Sequence, residues 1–355
     1  MTQYHKQPVA APPVVQDFLS YLTGIKNKSQ NTAYEYSVDL RAFFIYYLSN
    51  ANGKKNVAKD CDEGYTDKDL DAYMHITIDC VRNIDRIDIA NYLYNLSNKG
   101  LAAATRARKL AAVRAYFDYM CYKTYRLEDN PCEMVESPTF KRKLPVFLTE
   151  QECVELLAAI RQSTDKNRVR DYFIIALFMC CGLRIDELVG INLGDIRKYQ
   201  EDDVESLLLV VTGKGNKQRT IYLPEICVEA YFEYVEQRIS PKDDKEKALF
   251  ISQKGQRLSH RAIERMVKKY FNKANLDAAR LSPHKLRHTA ATNMLNANTD
   301  IRVIQQALGH ETLQTTQIYT HVSNASLKEA FLNNSLAQRM EELAEENKKT
   351  EKSDK

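Results

Sequence analysis

Nowhere does this chain carry 18 successive apolar residues, and no apolar segment follows a basic N-terminal start. The first absence argues against a membrane-spanning helix, the second against export through a signal peptide. The eight cysteines contain no CxxC pair, and Cys180 and Cys181 stand side by side in an apolar run. Buried, reduced thiols in a cytoplasmic protein are therefore expected, in place of a disulfide framework or a zinc ribbon. Internal repeats are lacking too. So is a strong excess of one charge: the net value is +4, so any affinity for a polyanion must come from local clustering. What remains is a chain of 355 residues, 44% hydrophobic and 28% charged. That is the balance of a globular protein, with enough length for two domains and a real core.

Strand signals are missing from the whole first part. Residues 1–12 read as a loose arm, and helical patterning begins at Val14. In "NTAYEYSVDLRAFFIYYLSN", Asn31 or Thr32 is a candidate cap, with Tyr36, Leu40, Phe43, Phe44 and Tyr47 on one face. Periodicity is lost over 51–68, which reads as a charged loop insertion. It returns around Ile87–Leu96 and Ala102–Tyr122, the latter with Ala107, Leu110, Val113 and Phe117 inward. Residues 1–127 are thus expected to form a helical bundle. Arg106, Arg108, Lys109 and Arg114 crowd its last helix, and Lys141, Arg142 and Lys143 form a second basic run; both suit a phosphate backbone, or a solvated surface.

Three prolines and a change of composition mark 128–147 as a linker, ending at a Thr149 cap followed by Gln151. Beyond it a second domain is expected over 148–325. It holds an apolar helix that closes at Gly182 and a hairpin of "SLLLVVT" and "RTIYLP" turning at Gly213–Asn216. In the remainder, 326–355, Leu327 and Phe331 form a short apolar stripe ahead of a polar tail.

The chemistry concentrates in "SPHKLRHTAA". Ser282 suits an N-cap and Pro283 the first helical position, which puts His284, Arg287 and His288 at i, i+3 and i+4 on one face of the first two turns. A helix N-terminus adds partial positive charge and free N–H groups, so the group points at an anion. The i, i+4 histidines also have the spacing of a zinc helix, but Lys285 stands where such a motif needs its glutamate. A pair of structural histidines is the third possibility. Elsewhere, Arg184 leaves the apolar helix in "CCGLRIDEL", with Glu187 one turn on. Lys214 sits in the hairpin turn with Lys217 as its rival, and Gly309, a left-handed cap, precedes His310. Tyr319 follows nine residues later. Together these make a set of cations, imidazoles and one phenol suited to phosphoryl transfer without a metal or cofactor.

With "GLRIDEL", "GKGNKQR", "HKLRH", "LGH" and "TTQIYTH" in this order, and "NTAYEYSVDLRAFF" and "RKLAAVRAYFDYM" ahead of them, the chain resembles the tyrosine recombinases of the phage integrase superfamily, and most of all their Xer-type bacterial members. The resemblance spans nearly everything except 51–68 and the far tail. It implies a mainly α protein: a SAM-like helical core-binding domain that clamps DNA, and a mostly α catalytic domain with a small antiparallel sheet.

The roles it implies are physically coherent. Tyr319 would attack the scissile phosphate and form a 3′-phosphotyrosyl link, while Arg184 and Arg287 would clamp the non-bridging oxygens. His284 and His310 would add hydrogen bonds, and Lys214 would protonate the departing 5′ oxygen. Glu187 would orient Arg184, and His288 would brace Arg287. Arg106, Arg108, Lys109, Lys141 and Arg142 would meet DNA. The implied partner is a double-stranded recombination site held by a homo-tetramer exchanging its C-terminal helix, or by a pair with a second recombinase. The implied setting is the bacterial cytoplasm, at the nucleoid, with chromosome or plasmid dimer resolution as the task. An integrase of a mobile element would use the same chemistry. A type IB topoisomerase and a binder that has lost catalysis are the more distant alternatives.

Overall fold

The computed structural model describes residues 7–51, 65–139, 146–201, 204–213, 217–309, 324–333, 336 and 339. The chain divides into two compact units, residues 1–143 and 144–355.

Every regular element among the first unit's described residues is a helix. Helix α1 (Pro13–Gly24) opens with proline at its first position, and α2 (Gln30–Ala51) begins where the Ser29 hydroxyl accepts the Thr32 N–H at 3.2 Å. The cap is thus Ser29, two residues ahead of the expected one. Two short helices, α3 (Asp67–Met74) and α4 (Ile78–Arg82), occupy a stretch whose sequence shows no helical period. Thr66 and Thr77 cap them, and Thr66 with Asp69 makes a reciprocal capping box. Most of the expected insertion at 51–68 lies outside the described residues, but its end is the start of α3. Helices α5 (Arg86–Asn98) and α6 (Ala103–Tyr122) follow as the periodicity predicts.

The core of this unit is aromatic. Phe18, Phe43, Phe44, Tyr73, Tyr92, Tyr116 and Phe117 are all buried. Phe44 meets Tyr116 edge-on, with centroids 5.5 Å apart at 89°, the arrangement that ring quadrupoles favour. Cys132 also lies in this core, Val135 packs against it, and Arg114 donates to the Val135 carbonyl at 2.6 Å. The first part of the expected linker is therefore folded onto this unit.

In the second unit, α7 (Glu150–Arg161) starts at a capping box of Thr149 with Glu152, the residue after the expected Gln151. Helix α8 (Arg168–Ala176) continues into a π-helical turn, Leu177–Cys181, whose five residues are all buried. Gly182 ends it in the left-handed conformation, φ 63°. A Cβ there would stand 2.4 Å from Leu308 Cδ2, so both the backbone angle and the space require glycine. Helix α9 (Ile185–Gly190) leads to a three-stranded antiparallel sheet, β1 (Ile196–Glu201), β2 (Val204–Thr212) and β3 (Gln218–Tyr222), with β2 in the centre. Strand β1 was not expected, because "IRKYQE" is too polar to announce itself. A charged edge strand is how sheets discourage further pairing. Leu207, Leu209 and Val211 alternate inward from β2, with Leu209 paired to both Ile196 and Ile221.

Five more helices follow among the described residues: α10 (Glu225–Gln237), α11 (His260–Lys273), α12 (Pro283–Asn296), α13 (Ile301–Leu308) and α14 (Asn324–Leu332). Helix α14 packs on α13 and β3, and Phe331 and Leu336 are fully buried in the unit's own core. Of the short apolar stripe, Phe331 is thus a core residue of its own unit, which departs from a purely intermolecular docking role, while the Leu327 side chain lies outside the described residues. Cys153, Cys180, Cys181 and Cys227 form no disulfide and are fully buried. Hydrogen bonding to Cys180 and Cys181, together with burial, pushes the Cys227 thiol well up, so Cys227 is an unreactive packing group. No helix among the described residues is long and apolar enough to cross a membrane.

Candidate active site

Helix α12 begins as its sequence demands: Ser282 is extended and Pro283 occupies the first turn, although the Ser282 hydroxyl makes no capping bond. His284 and His288 lie exposed on the same side, rings 6.1 Å apart and nearly parallel. Burial and the nearby charge of Lys285 hold the His288 imidazole below its usual range. Arg287, between them in sequence, turns inward and is buried.

Arg287 meets two other guanidinium groups around one carboxylate. Glu187, on α9 and 5% exposed, accepts from Arg184 Nη1 at 2.8 Å and from the Arg184 backbone N–H at 2.8 Å. It also accepts both arms of Arg219, at 2.6 and 2.9 Å, and lies 3.8 Å from Arg287. Burial pushes the Glu187 carboxyl up, but the bonds and charge from Arg219, with those from Arg184, outweigh it and hold the carboxyl below its usual range. It is therefore ionised. Burial and the neighbouring Arg184 charge push Arg287 down to about 10, still protonated at neutral pH.

The end of α13 completes the arrangement. Its last three carbonyls each take a different arginine: Arg219 Nε donates to Ala307 at 2.8 Å, Arg287 to Leu308 at 2.5 Å and Arg184 to Gly309 at 2.6 Å. Arg287 also donates to the Gly182 carbonyl at 2.5 Å. Guanidinium groups at a helix C-terminus satisfy orphan carbonyls and the negative end of the helix dipole. Three arginines and one carboxylate leave two formal positive charges in this small region.

Arg184 and Glu187 of one motif and Arg287 of another thus come together. The bracing expected of His288 comes instead from the carbonyls of Gly182 and Leu308. Arg219 was not foreseen, although it stands in the "GKGNKQR" motif; its signal was an arginine two residues ahead of the core-bound Ile221 on the same strand. Lys214, His310 and Tyr319 lie outside the described residues. Their chain neighbours are informative. A Cβ on Gly213, next to Lys214, would stand 3.5 Å from Glu187 Oε1, and Gly309, next to His310, is the residue whose carbonyl receives Arg184. The Gly213 N–H donates to the Lys217 carbonyl at 2.8 Å, closing the hairpin, and Lys217 itself is exposed. Among the described residues no group of three or more His, Cys, Asp or Glu is gathered as a metal site.

The basic helix α6 is more mixed. Arg108, half exposed, places both arms on Asp39, one at 3.0 Å, and Arg106 is partly buried. Lys109 departs from expectation: it is 5% exposed, with its ammonium 3.3 Å from Asp39. An ammonium that is desolvated and paired inside the unit does not face a DNA phosphate. Lys141 and Arg142 lie outside the described residues.

Residues 146–326 match the phage integrase family, and residues 67–123 match the N-terminal SAM-like domain of phage integrases. A tyrosine recombinase XerC of Caldanaerobacter subterraneus is 41% identical over 92% of this chain and 88% of its own length. A second XerC, of Pelotomaculum thermopropionicum, is 35% identical over 89% of this chain and 96% of its own. The crystal structure of the XerH site-specific recombinase, bound to a palindromic difH substrate after cleavage, shares the fold. Its TM-score is 0.61 at 23% identity, covering 89% of this chain and 83% of that one. The arginine centre at the exit of an apolar helix, the small sheet and these matches have one conclusion: the chain belongs to the phage integrase family and is a site-specific recombinase of the tyrosine type, Xer-like in kind.

Proposed function

We infer that this enzyme cuts and rejoins double-stranded DNA at a specific site through a 3′-phosphotyrosyl intermediate on Tyr319. The observation that carries this reading is the convergence of Arg184 and Arg287 beside one ionised carboxylate, with two surplus positive charges at the end of α13. Fixed guanidinium forks stabilise charge that builds on non-bridging oxygens in the transition state, where they need no reorganisation. In this reading His284 and His310 bond the same phosphate, and Lys214 on the hairpin gives its proton to the 5′ oxygen. The attack forms the Tyr319 O–P bond and breaks the P–O5′ bond, so the bond energy is kept for religation. Arg106 and Arg108 of α6 and the run at Lys141 and Arg142 meet the DNA backbone, and the two units act together as a clamp. In this reading the task is Xer-like, the resolution of chromosome or plasmid dimers in the cytoplasm.

Assembly into a tetramer on two duplexes belongs to the same reading. The seat that α14 occupies in its own unit is one that the identical helix of a neighbour can fill, as in any exchange of equivalent elements. Truncation after Ser323 then abolishes synapsis, and it also lowers the monomer's stability because it removes Phe331 and Leu336 from the core.

The decisive experiment is a suicide duplex that traps the covalent adduct. The parent protein forms it and Tyr319→Phe does not. On a substrate with sulfur in place of the bridging 5′ oxygen, Lys214→Ala regains cleavage, because a thiolate leaves without a proton, while Tyr319→Phe stays inactive. An adduct in Tyr319→Phe overturns the assignment of the nucleophile, and sulfur rescue of Lys217→Ala alone moves the acid to Lys217.

A further inference from the structure

Glu187 is a shared acceptor, and Arg219 is its fuller partner. Arg184 gives it one guanidinium arm and a backbone N–H; Arg219 gives it both arms, one to each oxygen. The Nε of Arg219 is committed as well, to the Ala307 carbonyl. Its side chain is 15% exposed, against 32% for Arg184. A Cβ on Gly309 would stand 3.2 Å from Arg219 Nη1, so the end of α13 closes over the group. A guanidinium held on three sides and covered is not free to bind substrate. It can decide where the carboxylate sits.

We propose that Arg219 is a positioning residue for strand cleavage: it fixes Glu187, and Glu187 fixes the Arg184 guanidinium in the geometry that receives the DNA phosphate. If the fork is removed, the buried carboxylate must find its donors elsewhere. The nearest are on Arg184, which is then drawn onto Glu187 and away from substrate. Lysine at 219 keeps the charge but presents a point donor on a flexible stem. It cannot make two parallel bonds and a carbonyl bond at once. Misplacement by about 1 Å is enough to cost on the order of a hundredfold in rate.

The proposal rests on the reading of Arg184 as a phosphate ligand, and the experiment separates the two. Full-length protein is tested in single-turnover cleavage of a suicide duplex, with either an ordinary scissile phosphate or each diastereomer of a methylphosphonate. The methylphosphonate removes the charge of one non-bridging oxygen, so a variant lacking the guanidinium that serves that oxygen loses less on it. Arg219→Lys is expected to cleave ordinary DNA about a hundredfold more slowly, with the DNA dissociation constant little changed. Arg184→Ala is slower still, and both variants regain rate on the same diastereomer. The double variant is no slower than Arg184→Ala, because residues acting through one another are not additive. If Arg219→Lys does not fold, Arg219→Gln takes its place in the same comparison.

Parental cleavage by the folded position-219 variant overturns the proposal. So does a different diastereomer preference, or a double variant whose losses multiply. If Arg184→Ala alone cleaves ordinary DNA at the parental rate, the phosphate-ligand reading falls, and the proposal with it.

Discussion

Each unit of this molecule holds a buried carboxylate against basic side chains, and the two serve opposite ends. Asp39, 1% exposed, takes Arg108 and Lys109 from the neighbouring helix and fastens α6 to α2. Glu187, 5% exposed, takes Arg184 and Arg219 and sits beside Arg287. Around Asp39, one of the two cations is turned inward and lost to the surface. Around Glu187, two guanidinium groups are hydrogen-bonded by one acid, a third stands 3.8 Å away, and most of their charge remains. A count of basic residues therefore says little about where positive potential lies; the acid that each one meets decides it.

Removing each acid should separate the two centres most strongly. Glu187→Ala leaves three guanidinium groups in a small buried region without their counter-charge, so cleavage should fall by more than about a hundredfold. Stability should fall by about 3–5 kcal/mol, the usual result of orphaning a buried charge. Suicide-substrate cleavage and denaturant melts measure the two effects. Asp39→Ala should also destabilise, by about 2–4 kcal/mol, yet at saturating DNA its cleavage rate should stay near the parent's. If Asp39→Ala slows cleavage of saturated DNA as Glu187→Ala does, the two acids do not differ in kind.

Next in size is the division within α6. Arg106→Glu with Arg108→Glu should weaken DNA binding by about 10- to 100-fold, as lost phosphate contacts do. Lys109→Met should leave affinity unchanged, because its ammonium faces Asp39. Gel-shift titrations decide it, and an equal loss from Lys109→Met would show that this lysine turns outward on DNA.

The smallest effect concerns an exposed acid close to Glu187. Asp186 lies 2.6 Å from His260 and raises the histidine above its usual pKa. A raised folded-state pKa means that the stabilisation is fully present below the unfolded value and is lost as pH rises through the folded one. With both groups well exposed, it should amount to no more than about 0.5 kcal/mol. NMR titration should find the His260 pKa above 6.5 and falling in Asp186→Asn. No change on substitution would remove Asp186 as the cause.

The same contrast shows what the sequence could reveal. Long helices were legible because their apolar residues repeat over several turns, as in α2, α5 and α6. Helices α3 and α4 were not, since five to eight residues hold too few repeats to register a period; only their threonine caps announced them. Strand β1 was lost to its polarity. At the site, Arg184, Glu187 and Arg287 could be named from motifs, and the orientation of Arg184 by Glu187 followed from their spacing on one helical turn. The second hold on Glu187 could not, because Arg219 arrives from a strand 32 positions away. Lys109 misled for a related reason: adjacent basic residues on a helix point about 100° apart, so one of a pair can be buried while the other is exposed.

The carbonyl partners of the arginine cluster have a consequence for ionic strength. Arg184, Arg219 and Arg287 are oriented partly by Gly309, Ala307, Leu308 and Gly182 oxygens, which carry no formal charge. At 1 M salt the Debye length contracts to about 3 Å, and attraction between exposed cations and DNA phosphates collapses as counterions compete. Bonds from buried guanidinium groups to neutral oxygens offer those ions nothing to exchange. Added salt should thus empty the enzyme of DNA without disordering the centre, so that occupancy responds to the ionic medium while the turnover of each bound duplex stays constant.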